Sequence, residues 1–310
     1  MPSPEPLTVV IVSYYSRHLL PPLLQDIDKK IPGRTEVIIV NNGHEDLHEF
    51  SKSQISVITP HSNLGYGGGL NLATAAASNN ILLFLNPDVR IETWSLAVED
   101  LPPRGFVLSG VDSAGMQANR FPGFVSECVR YLLEMLWSPL ARPFKAVHKK
   151  RHVSDETDAE WVTGGFMLTS KKTMQLLDGF DSDFFMYYED TDLCLRAKRA
   201  GIPVILTPKV RYSHDYGRST SDARRNLDYE LIVRSIWQYH TKHHSKARAL
   251  TLMRVLHVGW FVYSRVLGAI SLACHSERLQ RAIVKFTLCA QTASEVLKQH
   301  TSRVSCTSSW

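Results

Sequence analysis

The chain of 310 residues is long enough for one large domain or two ordinary ones, and such a length buries a full core without disulfide or metal staples. Its 44% hydrophobic and 21% charged residues are those of a globular protein. The formal net charge of +5 is unevenly spread, because residues 226–310 carry 11 Lys and Arg against 4 Asp and Glu. The excess positive charge therefore lies in the C-terminal quarter.

The cysteines argue for a reducing compartment. The chain has five cysteines, which is an odd number: Cys128, Cys194, Cys274, Cys289 and Cys306. None of them forms the close pairs in sequence that are typical of a disulfide framework or a zinc knuckle. The N-terminus runs directly into the apolar residues 7–12 and lacks the basic region and cleavage site of a signal peptide. We therefore expect a cytoplasmic protein.

Short apolar runs rich in Val and Ile occur at residues 7–12, 36–40, 55–58 and 81–85. Runs that are apolar on both faces are typical of buried parallel strands. Residues 16–30 and the alanine-rich residues 69–78 predict helices between them. The alternation predicts an α/β sheet. Ligands of such sheets bind beyond the carboxyl ends of the strands, so the polar turns 13–14, 41–43 and 86–88 should face one crevice.

Two further helices are predicted after residue 169. An extended segment at residues 159–169 leads to Ser170, which is a good N-cap for a short helix that stops at Gly179. The next helix begins with Asp190 and Asp192 in its first turn, where the helix dipole favours negative charge.

The acids Glu189, Asp190 and Asp192 lie directly after the aromatic residues 184–188. A carboxylate cluster against apolar bulk resists full ionisation, which allows one member to accept a proton. Dipole compensation and an i,i+4 pair with Arg196 explain Asp192 without any function. They explain Glu189 and Asp190 less well, and Asp190 is our candidate proton acceptor.

Asp88 ends the tripeptide Asn-Pro-Asp just past a predicted buried strand. A carboxylate there is well placed to hold a hard cation such as Mg²⁺, although the tripeptide alone favours a plain turn. His214 is predicted on a polar loop after the strand 203–207, where it is a weak candidate for a second metal ligand or a phosphate contact.

The Gly-rich turn at residues 61–71 precedes the alanine-rich helix. It offers backbone N–H groups to phosphate, or else only a tight connection, because it does not form a Rossmann fingerprint.

The pattern turns helical after about residue 226, and the most apolar segment of the chain is at residues 249–273. Arg254, His257 and Arg265 interrupt that segment, and a basic residue at mid-membrane costs about 2.5 to 3.5 kcal/mol. An amphipathic helix lying in the membrane interface therefore costs less free energy than a spanning helix, and we favour it. The alternative is a helical subdomain that packs against the sheet or against a second subunit of a homo-oligomer.

The chain contains, in this order, VVIVSY (9–14), VIIVNNG (37–43), NLGYG (63–67), LFLNPD (83–88), WVTGG (161–165), FDSDFFMYYEDTDLCLR (180–196) and His214. These six segments and the histidine resemble the inverting family 2 glycosyltransferases of the GT-A fold, particularly the rhamnosyltransferase-like bacterial members. The match runs from about residue 7 to about residue 220, which implies a GT-A catalytic domain at 1–225 and a C-terminal helical, basic region at 226–310.

The resemblance implies a role for each candidate residue. Asp88 and His214 would bind a divalent cation, Mg²⁺ or Mn²⁺, on the diphosphate of a nucleotide sugar. Asp190 would be the general base, with Glu189 beside it on the acceptor side. The nucleotide sugar would lie near Ser13, Asn41, Gly65, Asn86, Asp88, Gly164 and Gly165. Asn41 and Asn86 replace acids that are frequent in the family.

These implications give our prediction for function. We expect a metal-dependent inverting transfer of rhamnose or a similar sugar from a nucleoside-diphosphate sugar to a glycan or polyprenyl-linked glycan of a bacterial surface polysaccharide. The protein would be peripheral on the inner face of the cell membrane, where the basic residues meet an anionic surface.

Two rivals stay open. A sugar nucleotidyltransferase usually has glycines and basic residues after its first strand, whereas residues 12–17 offer one arginine and no glycine. A non-catalytic homologue is disfavoured by the four intact site residues Asp88, Glu189, Asp190 and His214. We expect no nucleic-acid partner, because the basic residues gather beside an apolar segment and no nucleic-acid-binding motif occurs.

Overall fold

The computed structural model describes residues 6–33, 35–113, 120–133, 155–214, 222–272 and 276–301. These residues cluster in two compact units. The first unit lies within Met1–Phe121 and His148–Ser219, and the second within Pro122–Val147 and Thr220–Trp310. The domain boundary predicted at residue 225 stays a prediction.

The strands all belong to one sheet of the first unit. They are Leu7–Ser13 (β1), Thr35–Asn41 (β2), Ile55–Ile58 (β3), Ile81–Leu85 (β4), Val89–Trp94 (β5), Val107–Asp112 (β6), Thr157–Asp158 (β7), Phe166–Ser170 (β8) and Val204–His214 (β9). The α-helices of the described residues are Leu20–Lys30 (α1), Gly65–Ala76 (α2), Phe124–Leu133 (α3), Lys171–Leu176 (α4), Glu189–Arg199 (α5), Asp222–His243 (α6), Lys246–Ser271 (α7) and Glu277–Thr301 (α8).

The sheet is mixed, with the strand order β3-β2-β1-β4-β8-β6-β9-β5, and β7 pairs with β9. Strands β3, β2, β1 and β4 are parallel to one another, whereas β8 runs antiparallel to both of its neighbours, β4 and β6. Every residue of β1, β4 and β8 is buried, so these strands are covered on both faces. One core cluster lies on each face of the sheet.

The strands predicted from the apolar runs are confirmed to within one residue at each end. The first helix starts at Leu20 instead of residue 16, after a 3-10 turn at Arg17–Leu19, because prolines occupy its first turn. Ser170 does cap α4, since its side chain accepts a hydrogen bond from the N–H of Thr173. The chain then leaves α4 through Gly179 at a φ of 66°.

Three predictions about local structure were wrong. The extended segment at residues 159–169 is a strand only from Phe166 onwards, because a turn at Gly164 and Gly165 precedes it. Helix α2 begins at Gly65 instead of residue 69. His214 is not in a loop, because β9 continues past Thr207 and His214 is its last residue, paired with Val89 of β5.

The second unit is built from the helices α3, α6, α7 and α8. Helix α7 packs against α3 and α8, and α6 packs against α7 and α8. Trp260 of α7 is fully buried, and its ring meets Tyr131 of α3 edge-on at a centroid distance of 6.0 Å. A search of the described residues finds no helix apolar and long enough to span a bilayer.

Candidate active site

Parallel strands bring polar residues to the carboxyl edge of the first unit's sheet. Ser13 is the last residue of β1 and lies opposite Asn41, the last residue of β2, while Asn86 follows β4 directly. The Ser13 hydroxyl lies 2.9 Å from the hydroxyl of Ser16. The Asn41 carboxamide donates to the carbonyl of Glu45 and accepts from its N–H. The nucleoside contact predicted for Ser13 and Asn41 stays a prediction.

Asp88 and His214 form a pair at this edge. Nε2 of His214 lies 2.8 Å from Oδ1 of Asp88, and both side chains are largely buried. The pairing of β5 with β9 fixes them, because Asp88 immediately precedes the residue of β5 that pairs with His214. Nδ2 of Asn86 lies 3.5 Å from the same imidazole nitrogen.

The pair fits a divalent cation shared with a ligand. Two ligands at right angles on an octahedral Mg²⁺, each about 2.1 Å from the metal, lie about 3 Å apart. Asp88 and His214 are hydrogen-bonded to each other at 2.8 Å, and this separation would also let both atoms reach one cation. Across the described residues, no group of three or more His, Cys, Asp or Glu could hold a metal. Mg²⁺ commonly takes one or two protein ligands and completes its shell with water and phosphate oxygens, so a cation here would come with a diphosphate.

Gly164 and Gly165 connect this pair to the acidic residues of α5. The N–H of Gly164 donates to Oδ2 of Asp190 at 2.9 Å, and the N–H of Asn86 donates to the carbonyl of Gly165 at 2.9 Å. A Cβ atom on Gly164 would lie 3.4 Å from Cβ of Asp190. A Cβ atom on Gly165 would lie 3.0 Å from Cε1 of His214 and 3.1 Å from Nδ2 of Asn86. Asp190 and His214 therefore lie against consecutive residues of one turn, and the close approach of His214 depends on the absence of a side chain at Gly165.

Glu189 and Asp190 are the first two residues of α5, and the interior around them disfavours their ionised forms. Burial, and then the neighbouring charge of Asp190, raise the pKa of Glu189 to about 8. Within the described part of the chain, Oε2 of Glu189 is buried and has no hydrogen-bond partner.

Burial also raises the pKa of Asp190, although hydrogen bonds from the N–H groups of Gly164 and Thr191 oppose the shift. A carboxylate with a raised pKa is a stronger base than an exposed aspartate, so the shift suits Asp190 to accept a proton.

Part of the first unit matches a known protein family. Residues 8–96 match the family model described as Glycosyl transferase family 2. This part of the chain is therefore similar to the family 2 glycosyltransferases. The matched residues include β1, β2, β4 and Asp88.

Two relatives of the chain are named rhamnosyltransferases. Over 167 residues the chain is 27% identical to Rhamnosyltransferase WbbL of Escherichia coli (strain K12). The aligned region covers 50% of this chain and 63% of WbbL, so the chain spans less than two thirds of the length of WbbL. Over 239 residues it is 23% identical to the N-acetylglucosaminyl-diphospho-decaprenol L-rhamnosyltransferase of Mycobacterium tuberculosis, with 69% of this chain and 77% of that protein covered.

Among solved structures, the chain resembles GalNAc-T7 crystallised with UDP, GalNAc and Mn²⁺. The TM-score is 0.55 at 13% identity, and the match covers 80% of this chain and 52% of that one. Such a low identity shows the fold alone. The family 2 resemblance, its rhamnosyltransferase-like character and the GT-A fold predicted from the sequence are confirmed.

The Gly-rich turn at residues 61–71 is used for close packing. The N–H groups of Leu64 and Gly65 donate to side chains of nearby asparagines, and that of Tyr66 donates to the carbonyl of Phe185. Gly65 has a φ of 73°, and a Cβ atom there would lie 2.0 Å from the same Phe185 carbonyl. The phosphate contact predicted for this turn stays a prediction.

Sequence reasoning missed three residues that hold the site together. Tyr66 donates its hydroxyl to the carbonyl of Gly164 at 2.7 Å. Asn42 bonds both Leu64 and Gly65, and Asn71 bonds the N–H and the carbonyl of Phe180. The only signal was the presence of polar side chains within Gly-rich and apolar segments.

Tyr66 also shows that the acids share one neighbourhood. Burial first, and then the charges of Glu189, Asp190 and Asp88, raise the pKa of its hydroxyl. The hydroxyl group of Tyr66 thus lies near both the acids of α5 and the acid of the predicted metal site.

Proposed function

We propose that the protein transfers a sugar, rhamnose or a similar hexose, from a nucleoside-diphosphate sugar to a hydroxyl group of a glycan, in a metal-dependent reaction that inverts the anomeric configuration. The observation that carries this proposal is the turn at Gly164 and Gly165, which contacts Asp190 at one residue and His214 at the next. A proton acceptor and a pair suited to a cation are thereby neighbours, as this reaction requires.

In this mechanism Asp190 is the general base. The acceptor oxygen attacks the anomeric carbon from the face opposite the diphosphate, and Asp190 takes the proton of that hydroxyl. The C–O bond to the diphosphate breaks as the new C–O bond forms. A single displacement needs no protein nucleophile and inverts the configuration, by the reasoning that links carboxylate placement to stereochemistry in glycosidases.

Asp88 and His214 would hold a divalent cation, Mg²⁺ or Mn²⁺, together with the diphosphate of the donor. When bound, such a cation neutralises the charge that develops on the departing diphosphate. The chemistry of the donor set supports this assignment, since one carboxylate and one imidazole need phosphate oxygens to complete a coordination shell.

The acceptor in our proposal is a lipid-linked glycan of a bacterial surface polysaccharide, and the protein acts as a peripheral protein on the inner face of the membrane. This part is supported by the name of the mycobacterial relative, which acts on a decaprenol-linked sugar. It is also supported by the basic C-terminal region, because anionic lipids attract surface Lys and Arg.

Nucleotide binding provides the direct test. We expect the diphosphates of uridine, guanosine or thymidine, and the matching sugar nucleotides, to raise the melting temperature more with Mn²⁺ than with excess EDTA. Asp88→Asn should remove the Mn²⁺-dependent part of the rise, while Asp183→Asn, at an exposed site, should keep it. Stabilisation by no nucleoside diphosphate, or full transfer activity in excess EDTA, would contradict the proposal.

Stereochemistry gives a second test. The transferred sugar should carry the anomeric configuration opposite to that in the donor, which NMR of the purified product determines. A retained configuration would exclude the single displacement. Release of pyrophosphate from a nucleoside triphosphate would favour a nucleotidyltransferase instead.

A further inference from the structure

Helix α7 has apolar residues on two opposite faces, and one of them is buried inside the second unit. The inward face carries Leu252, Leu256 and Trp260, which are almost completely buried. Contacts with α8 fix the same side, because Nδ1 of His257 lies 2.9 Å from the carbonyl of Ala290. The core packing of the second unit thus accounts for the inward apolar residues of α7 only.

The outward face is apolar as well. Four valines follow one another at helical spacing and form what we call the valine stripe: Val255, Val258, Val262 and Val266. Their exposed fractions run from 37% to 58%, and Phe261 and Ile270 are similarly exposed beside them. A continuous exposed apolar stripe of this length on a surface helix indicates an interaction surface.

The charges on this face all have one sign. Arg254 precedes Val258 by four residues and Arg265 follows Phe261 by four, so both arginines share the outward face with the valine stripe. The guanidinium of Arg265 lies over the ring of Phe261 at 5.1 Å from its centroid. Helix α7 contains no Asp or Glu. Its outward surface therefore combines apolar bulk with positive charge.

This combination decides between the possible occupants. If a second copy of the chain docked the same face in two-fold symmetry, each stripe and its arginines would meet an equally positive stripe. A bilayer with anionic head groups matches both features, because acyl chains take up the valines and phosphates pair with the arginines. No described helix is long and apolar enough to span a bilayer.

We propose that the outward face of α7 binds an anionic phospholipid surface, with the valine stripe at the depth of the acyl chains and Arg254 and Arg265 at the phosphates. The inference deepens the proposed function and rests on it for the purpose of the surface, which is to meet a lipid-linked acceptor. Binding to vesicles is measured without donor or acceptor, so this inference and the transferase proposal fail separately.

The test is sedimentation of the full chain with vesicles. We expect binding to vesicles of phosphatidylcholine mixed with phosphatidylglycerol, and weak binding to phosphatidylcholine alone. The double variant V258D/V262D should lose at least about tenfold in apparent affinity, since each substitution places a charge among the acyl chains. The matched control is Val284→Asp, which changes an exposed valine of α8 and should keep binding.

The arginines are tested on their own, which keeps the proposal falsifiable if the aspartate variants fold poorly. Arg254→Gln and Arg265→Gln should each weaken binding to the anionic vesicles about fivefold and reduce its salt dependence. Wild-type protein that does not sediment with anionic vesicles would overturn the proposal. So would equal losses in Val284→Asp and V258D/V262D, or a wild-type dimer that V258D/V262D converts to monomers.

Discussion

A buried acid of the first unit and a buried histidine of the second have pKa values shifted in opposite directions, and both shifts favour the neutral form. In the first unit, burial raises the pKa of Glu189 to about 8 and holds that side chain protonated. In the second unit, burial first, and then the charges of His244, Arg248 and His243, lower the pKa of His240 to about 3 and hold it deprotonated. Each group is therefore neutral inside its unit, because a low-dielectric interior disfavours the charged form.

Other buried acids of the first unit show that such neutrality is not general. Burial favours a higher pKa for Asp26, but hydrogen bonds from Arg90 and Lys30 outweigh it and lower the pKa. Asp192 is fully buried against Arg196, with Nε 2.7 Å from Oδ2. The donors to Asp190 in the described structure are instead backbone N–H groups and a hydroxyl. Asp26 and Asp192 are thus paired with Lys or Arg, whereas the hydrogen bonds to Asp190 among the described residues come from uncharged donors.

The largest effect is expected on the transfer rate, when Asp190, the candidate general base, is replaced. Asp190→Asn should lower kcat by about 10² to 10⁴-fold, because the variant cannot accept the proton of the acceptor hydroxyl. Steady-state transfer rates of purified protein measure this. Asp183→Asn, at an exposed position of the preceding loop, should stay near the wild-type rate. Near wild-type turnover in Asp190→Asn would remove the base assignment.

A paired acid of the same helix should matter for stability. Asp192→Ala leaves the guanidinium of Arg196 without its carboxylate and should lower the free energy of unfolding by about 3 to 5 kcal/mol. Urea denaturation measures the change. Asp158→Ala removes the exposed acid that pairs with Lys198 and serves as the control. Equal small losses in both variants would break the distinction between the buried and exposed pairs.

Glu189→Gln should stabilise the protein at neutral pH. The unfolded chain releases the Glu189 proton near pH 4.5 and the folded chain near pH 8, so the folded state binds more protons between these values. Wild-type stability should therefore fall as pH rises through this window, by at most about 1.4 kcal/mol per pH unit from this group. Urea denaturation at pH 5 and pH 7 should show the advantage of the variant growing with pH. A constant difference would contradict the raised pKa.

His240 should give the opposite pH dependence. The unfolded chain takes up this proton near pH 6.5 and the folded chain near pH 3, so stability from His240 is complete above pH 6.5 and is lost on acidification toward pH 3. His240→Leu should lose less stability than wild type between pH 6.5 and pH 4.5. Hydrogen exchange of α6 at both pH values locates the effect. His48→Leu, at an exposed position, should behave like wild type.

The smallest effect is expected for an exposed ion pair of the second unit. Arg234 donates to Glu295 at 3.1 Å, and both side chains are about half exposed. Solvent screens such pairs, so Arg234→Ala should change the free energy of unfolding by less than about 0.5 kcal/mol in urea denaturation. A loss as large as that of Asp192→Ala would show that exposure does not separate the two classes of pair.

Local features of the fold could be predicted because their causes are local. The runs that became β1 to β4 are continuous apolar segments, the cap at Ser170 depends on the residue three positions later, and Asp192 meets Arg196 one helical turn away. The short polar and mixed strands β5 and β6 were missed. They are defined by pairing with β8 and β9, which lie far away in sequence.

The parts of the candidate site could be predicted only one by one. The acids 189 and 190 stood out beside their aromatic neighbours, and Asp88 stood at the end of a predicted strand. The position of His214 was wrong, since pairing with Val89 extends β9 beyond the apolar residues that predicted it. Tyr66 escaped notice because its role depends on a contact with Gly164, which is 98 residues away.

The sequence by itself determined the apolar strands, the caps, the order of the family motifs and the separation of charge between the two parts of the chain. Tertiary structure decided which side chains meet: Asp88 with His214, Tyr66 with Gly164, and Leu256 but not Val258 of α7 with the core. The physical reason is that a hydrophobic pattern fixes the period of an element, whereas packing alone selects which of two apolar faces leaves water.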